Sequence, residues 1–309
     1  PRRYLAAVQN IATIPFVRHA AALSGPQVLQ VVTRIGAGLI TAKILGPENL
    51  GIVAVASLVY TYSLFVQLGA ADGVGLKIPY AMGEGNQELA DRAMGTSYRF
   101  VISALVPYSL VAIALIVTLT DNRLIWLGAG CFILAGFMTQ LTQYREAVLR
   151  FSYRFRQLSV SHYTLVVATF VLTVSLTVAF GIRGTVFAAF LAFIPSLVYL
   201  AWGLRVKLPQ QFSWPLLREL IALGMPMVMV GFIYTIYTTV DRYFIIGFLG
   251  VENLGFYTIV LTLSTSVVLL VPVSLVSLLT QYLREVYGRT HDRDQIWFYT
   301  QRFSLTAAV

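Results

Sequence analysis

The segment Ile44-Leu-Gly-Pro-Glu-Asn-Leu-Gly-Ile52 separates two long apolar stretches, residues 26–45 and 50–69. Each stretch has about the 20 residues that a helix needs to cross the hydrocarbon core of a bilayer. Glycine and proline end helices, so the segment predicts a tight turn between two antiparallel spanning helices. Six further apolar runs follow along the chain, near residues 98–119, 124–143, 160–180, 184–204, 224–249 and 254–280. A ninth run begins at Phe303.

The composition supports a membrane protein. Hydrophobic residues make up 58% of the chain, charged residues only 11%, and the mean hydropathy is +0.76. A soluble domain carries roughly a quarter charged residues, so much of this apolar surface must face lipid. One cysteine, Cys131, excludes an intrachain disulfide. With only three scattered histidines as well, no metal cluster has sensible ligand spacing.

The basic residues predict the orientation. Of the 22 Lys and Arg residues, 17 fall in one set of alternating connecting segments. The opposite set holds Lys43, Arg123 and Arg183, and Arg34 and Arg242 lie inside predicted spans. Short cytoplasmic segments collect Lys and Arg, so we expect a cytoplasmic N-terminus.

The turn at residues 44–52 has a second copy, Phe248-Leu-Gly-Val-Glu-Asn-Leu-Gly-Phe256, with six identities in nine. Six predicted spans separate the copies, so both would run the same way through the bilayer, as in transporters built from parallel repeats. Independent convergence on helix-ending residues is the alternative. The repeat predicts a cytoplasmic segment at 1–19, a six-helix lobe at 20–204, and a linker with the first helices of a second lobe at 205–309.

The sequence resembles the polysaccharide biosynthesis and O-antigen flippase family, the polysaccharide branch of the multidrug/oligosaccharidyl-lipid/polysaccharide exporter superfamily. The similar stretches are Arg34-Ile-Gly-Ala-Gly-Leu-Ile-Thr-Ala-Lys-Ile-Leu-Gly-Pro-Glu-Asn-Leu-Gly, Gly224-Met-Pro-Met, Thr239-Val-Asp-Arg-Tyr-Phe-Ile-Ile and Leu249-Gly-Val-Glu-Asn-Leu-Gly-Phe-Tyr. The resemblance implies an all-α, polytopic, two-lobed transporter of 12–14 helices, of which this chain has about eight complete spanning helices and lacks the last ones. It also implies flipping of undecaprenyl-diphosphate-linked oligosaccharide outward across the bacterial inner membrane.

Charged residues inside predicted spans are the candidate functional groups, because each costs about 2.5–3.5 kcal/mol at a helix centre. Arg34 lies about eight residues into the first span, and Gln27, Gln30 and Thr41 share its helical face. Arginine meets phosphate oxygens with a planar, permanently charged fork. We therefore expect Arg34 to bind the diphosphate, with Gln27 and Gln30 among the sugar contacts.

The second and seventh spans carry the remaining candidates. Tyr60 and Gln67, then Tyr234 and Tyr237, are predicted to contact sugar. Asp241 is predicted to be either the counter-charge of an intramembrane arginine or a site for a coupling ion, H⁺ or Na⁺, with no other cofactor. Its neighbour Arg242 could instead extend toward the interface. The alternative is that Arg34 and Asp241 form a structural ion pair between the lobes.

Two other functions compete with the flippase. A multidrug or cation antiporter of the same superfamily would need carboxylates in its cavity, whereas Arg34 repels cations. A membrane-embedded polysaccharide polymerase or acyltransferase would need outer acid/base groups, and the predicted outer segments have few. The arginine-rich stretch 145–156 follows a span, which favours lipid contact over nucleic acid. We expect membrane lipid and the lipid-linked oligosaccharide as partners, with polysaccharide assembly enzymes as further candidates.

Overall fold

The computed structural model describes the backbone of residues 2–206 and 208–268, and the side chains of residues 25–206 and 208–265. Throughout these residues the regular secondary structure is helical. The helices are α1 (Arg2–Ser63), α2 (Ala70–Gly83), α3 (Gln87–Leu119), α4 (Arg123–Phe151), α5 (Phe155–Leu191), α6 (Phe193–Val198), α7 (Trp214–Phe244) and α8 (Val251–Val268). A π-helical turn extends α6 over Tyr199–Gly203, and another extends α7 over Ile245–Leu249.

Five helical stretches are long and apolar enough to cross a membrane: Gly25–Ser63, Gln87–Leu119, Arg123–Phe151, Phe155–Gly203 and Trp214–Leu249. Two of them hold two predicted spans each. The first is interrupted at Gly46, with φ 71°, and the fourth at Gly181, with φ 58°. The described part of the chain therefore confirms a polytopic helical membrane protein. The end of the run at 254–280 and the whole run from Phe303 lie outside the described residues.

The second predicted span is shorter than expected. Hydropathy extends it to residue 69, but the helix ends at Ser63 and residues 64–69 form turns. Leu68 and Gly69 have φ of 47° and 89°, which an α-helix cannot accommodate. The following helix α2 was not predicted, because it is short and contains Asp72 and Lys77.

The described residues divide into two compact units, each assembled from separate parts of the chain. The first unit contains residues 2–64, 105–206 and 235–268, and the second contains residues 65–104 and 208–234. Within the second unit, α2 and α7 pack so closely that a Cβ on Gly73 or Gly224 would collide with the facing backbone. The lobe boundary near residue 204 stays a prediction.

The two copies of the repeated turn adopt the same local structure inside the first unit. Gly46 has φ 71° and ψ 172°, and Gly250 has φ 87° and ψ 173°. In each copy the asparagine side chain donates a hydrogen bond to the carbonyl four residues earlier. The distances are 3.0 Å from Asn49 Nδ2 to Leu45 O and 2.7 Å from Asn253 Nδ2 to Leu249 O.

The two turns also pack against each other reciprocally. A Cβ on Gly51 would collide with the carbonyl of Val251, and a Cβ on Gly255 would collide with the carbonyl of Pro47. In the repeat, Gly255 corresponds to Gly51 and Val251 corresponds to Pro47. The two contacts are therefore equivalent, as they would be across a two-fold axis. Such equivalent packing is what an internal repeat predicts, and the two-lobe division based on the repeat stays a prediction.

Candidate functional site

The first unit contains a half-open cavity of about 770 Å³, lined by residues of α1, α4, α5, α6 and α8. This volume is in the range of ordinary ligand pockets. Most of the cavity's polar lining comes from α1 and α4, which each present a row of hydrogen-bonding side chains to it. Its polar lining consists of Gln27, Gln30, Thr33, Arg34, Thr41, Tyr60, Thr139, Thr142, Gln143, Glu146, His162, Thr169, Thr173 and Thr262.

The polar face predicted on the first span is part of this lining. Gln27, Gln30, Arg34 and Thr41 all line the cavity. Arg34 forms no ion pair within the described residues. Thr41 is 6% exposed, and its Oγ1 is buried with no hydrogen-bond partner in that same part of the chain.

The cavity-lining residues of α4 end with Glu146, a carboxylate that was not predicted from the sequence. Glu146 is buried, and its Oε1 accepts a hydrogen bond of 2.8 Å from Ser161 Oγ. Its Oε2 lies 3.2 Å from Nε2 of His162, whose side chain is 29% exposed. Behind this pair, Ser161 Oγ and Ser196 Oγ are 2.9 Å apart.

A periodicity signal for Glu146 was present in the sequence. Thr139, Thr142, Gln143 and Glu146 lie at helical spacings of three, four and seven, and all four line the cavity. The predicted span ended at residue 143, so Glu146 was assigned to a basic connecting segment. In the structure α4 continues to Phe151, which places Glu146 inside the helix.

The two candidate sugar contacts of the second predicted span, Tyr60 and Gln67, lie in different units. Tyr60 lines the cavity, and its hydroxyl accepts a hydrogen bond of 3.3 Å from Thr139 Oγ1. Gln67 belongs to the second unit, where its Nε2 donates to Asp72 Oδ2 at 3.2 Å. A sugar-binding role for Gln67 stays a prediction.

The candidates of α7 lie outside the cavity lining. The side chains of Tyr234 and Tyr237 are 66% and 76% exposed. Asp241 accepts hydrogen bonds from the backbone N–H of Arg242, at 2.8 Å, and from the hydroxyl of Tyr257. Their roles in substrate binding stay predictions.

Arg242 lies near Arg34, so their positive charges repel each other. Arg242 Nε is buried without a hydrogen-bond partner among the described residues. The alternative ion pair between Arg34 and Asp241 does not form in this part of the chain.

The chemistry of the cavity is therefore mixed. Arg34 supplies a cation with no ion-pair partner among the described residues, Glu146 supplies a carboxylate that is already hydrogen-bonded, and His162 supplies an imidazole. The rest of the polar lining is hydroxyl and amide. Within the described residues no group of three or more His, Cys, Asp or Glu side chains could hold a metal ion. Such a lining suits an anionic ligand that also carries many neutral hydrogen-bonding groups.

Comparison with known proteins gives a family and a fold. A family model described as "Polysaccharide biosynthesis protein" matches residues 40–286. No curated protein sequence matches the chain significantly.

Among solved structures, a MOP superfamily transporter from Pyrococcus furiosus has a TM-score of 0.71 at 15% identity, covering 94% of this chain and 69% of its own. A multidrug resistance MATE family transporter in an outward-facing conformation has a TM-score of 0.71 at 16% identity, covering 94% and 70%. A Vibrio cholerae MATE transporter has a TM-score of 0.66 at 16% identity, with the same two coverages. At these identities the similarity shows a shared fold.

Proposed function

Because this chain belongs to the polysaccharide biosynthesis protein family and has the fold of MOP superfamily transporters, we propose that it is a flippase for undecaprenyl-diphosphate-linked oligosaccharide. It moves this repeat unit of O-antigen, capsule or exopolysaccharide from the cytoplasmic to the periplasmic leaflet of the bacterial inner membrane by alternating access. The proposal includes a cytoplasmic N-terminus and coupling to H⁺ or Na⁺, with Asp241 as the coupling candidate.

The observation that carries the proposal is Arg34 in the cavity. A cation at this depth is costly unless it has a counter-charge or water, and no described carboxylate pairs with it. A diphosphate supplies that counter-charge and matches the guanidinium fork geometrically. Repulsion from Arg242 makes the region more favourable for an anion.

The neutral part of the lining fits the glycan. Sugar hydroxyls donate and accept hydrogen bonds, and Gln27, Gln30 and Gln143 offer both kinds of group. Threonine hydroxyls on α4 and α5 donate to their own helix backbone, as at Thr142 and Thr169, and keep lone pairs for ligand donors. Such contacts are diffuse and suit a polyhydroxylated substrate.

A multidrug or cation antiporter is the second candidate, and Glu146 is the observation that favours it. A carboxylate in a transporter cavity could bind a cationic drug. However, both oxygens of Glu146 already have partners, and the positive charge of Arg150 also attracts this carboxylate. Arg34 in the same cavity would repel a cation, so the anionic substrate is favoured.

The test is replacement of Arg34 with export measured at matched protein level in cells that depend on this chain for surface glycan. Arg34→Ala removes a charged hydrogen-bonding partner, which corresponds to roughly a 10- to 100-fold loss of substrate affinity. Arg34→Lys keeps the charge and loses the fork, so it should retain part of the export.

Arg183→Ala is the matched control, because Arg183 is exposed in the same unit and does not line the cavity. We expect normal export from it. Unchanged export by Arg34→Ala would remove the diphosphate site. Loss of resistance to cationic drugs with intact glycan export would favour the antiporter instead.

A further inference from the structure

Glu146 and His162 form a polar pair that the diphosphate site does not use. Both side chains line the same cavity as Arg34, from α4 and α5. The pair is asymmetric in exposure: the Glu146 side chain is 8% exposed, and that of His162 is 29% exposed. The buried member is therefore placed to orient the accessible one.

The contact with Glu146 uses one of the two ring nitrogens of His162. Nε2 lies 3.2 Å from Glu146 Oε2, and a carboxylate oxygen accepts a proton carried by that nitrogen. The other ring nitrogen, Nδ1, is not used by this contact. Ser161 Oγ donates to the other carboxylate oxygen at 2.8 Å, and Ser196 Oγ lies 2.9 Å behind it.

Ser161, with Ser196 behind it, restrains Glu146 through the carboxylate oxygen that does not contact His162. Two hydrogen bonds to different oxygens hold the carboxylate at one rotation, and the carboxylate in turn holds the imidazole plane. A ligand-binding side chain supported in this way loses little conformational freedom on binding. The arrangement is that of a recognition residue and its positioning residue.

We propose that His162, positioned by Glu146, is a specificity-determining contact to a sugar hydroxyl of the glycan. This inference rests on the proposed function. The glycan is favoured over a cation because the carboxylate is already hydrogen-bonded and Arg34 lines the same cavity. It is favoured over the diphosphate because Arg34 is the cavity-lining group suited to that anion, whereas Glu146 repels it.

The experiment compares the affinities of the purified protein in nanodiscs for two probes: bare undecaprenyl diphosphate and undecaprenyl diphosphate carrying a disaccharide. His162→Phe and Glu146→Gln should each weaken binding of the disaccharide lipid by roughly three- to tenfold, the value of one hydrogen bond. Neither should change binding of the bare lipid. Arg34→Gln should weaken binding of both.

The outcomes separate the two proposals. Equal losses for both lipids in His162→Phe would overturn the sugar contact, and so would no loss for either. If Arg34→Gln weakens the binding of neither lipid, the proposed function is overturned, whatever the histidine variant does. His162→Gln, which keeps hydrogen-bonding groups, should recover part of the disaccharide affinity if the contact is a hydrogen bond.

A second measurement needs no substitution at the pair. The chain has three histidines, so His19→Gln with His291→Gln leaves His162 as the only imidazole. With ¹³C label at its Cε1, the NMR signal of His162 should shift on addition of the disaccharide lipid and stay in place with bare undecaprenyl diphosphate. The same response to both lipids would contradict the sugar contact.

Discussion

Two threonines of the first unit show how a single hydroxyl can have opposite energetic value. Thr41 and Thr177 are both buried, at 6% and 0% exposure. Thr177 Oγ1 lies 2.8 Å from Thr185 Oγ1, whereas Thr41 Oγ1 has no partner within the described residues. A paired hydroxyl contributes about 0.5–1.5 kcal/mol, and an unpaired buried one costs about 1–3 kcal/mol.

Valine substitutions test this difference, because valine has nearly the shape of threonine. In substrate-free purified protein, Thr41→Val should leave the free energy of unfolding unchanged or raise it. Thr177→Val should lower it by about 1 kcal/mol. Thermal unfolding in detergent measures both. Equal destabilisation by the two variants would mean that the Thr41 hydroxyl has a partner.

At the level of secondary-structure elements, α1 and α8 pack against each other through the two copies of the repeated turn. Gly51 and Gly255 are separated by the repeat length and contact each other's turn, Gly51 at Val251 and Gly255 at Pro47. Neither glycine is needed for a positive φ. Their role is close approach, since a side chain would displace the facing carbonyl.

Alanine at either glycine should therefore destabilise this packing, and to a similar extent because the contacts are reciprocal. We expect Gly51→Ala and Gly255→Ala each to lower stability by about 1–3 kcal/mol, the cost of overpacking. Gly130→Ala is the control: it lies in α4 with nothing near its Cβ position. There alanine should be neutral or stabilising because of its higher helix propensity. A large effect at only one of the paired glycines would contradict the reciprocal arrangement.

At the scale of the whole molecule, the distribution of basic residues predicts which loops face the cytoplasm. Asp121 lies in the exposed connection between α3 and α4, and Glu84 lies in the exposed connection between α2 and α3. The charge bias places Asp121 outside and Glu84 inside.

Labelling of single introduced cysteines tests this topology. Cys131 is the only cysteine in the sequence, and Cys131→Ala removes it. In that background a membrane-impermeant maleimide should label Asp121→Cys in intact cells. Labelling of Glu84→Cys should require permeabilisation. The reverse pattern would place the N-terminus outside and would invert the proposed direction of loading.

The properties that are local to one helix could be predicted from the sequence alone. Apolar runs of spanning length predicted the helical membrane class, and the spacing of Gln27, Gln30, Arg34 and Thr41 predicted one polar face. These follow from the geometry of an isolated helix and its preference for lipid. Which helices meet around the cavity became evident only in the folded structure. It placed Glu146 beside His162 and left Tyr237 outside, because helix packing depends on side chains far apart in the chain.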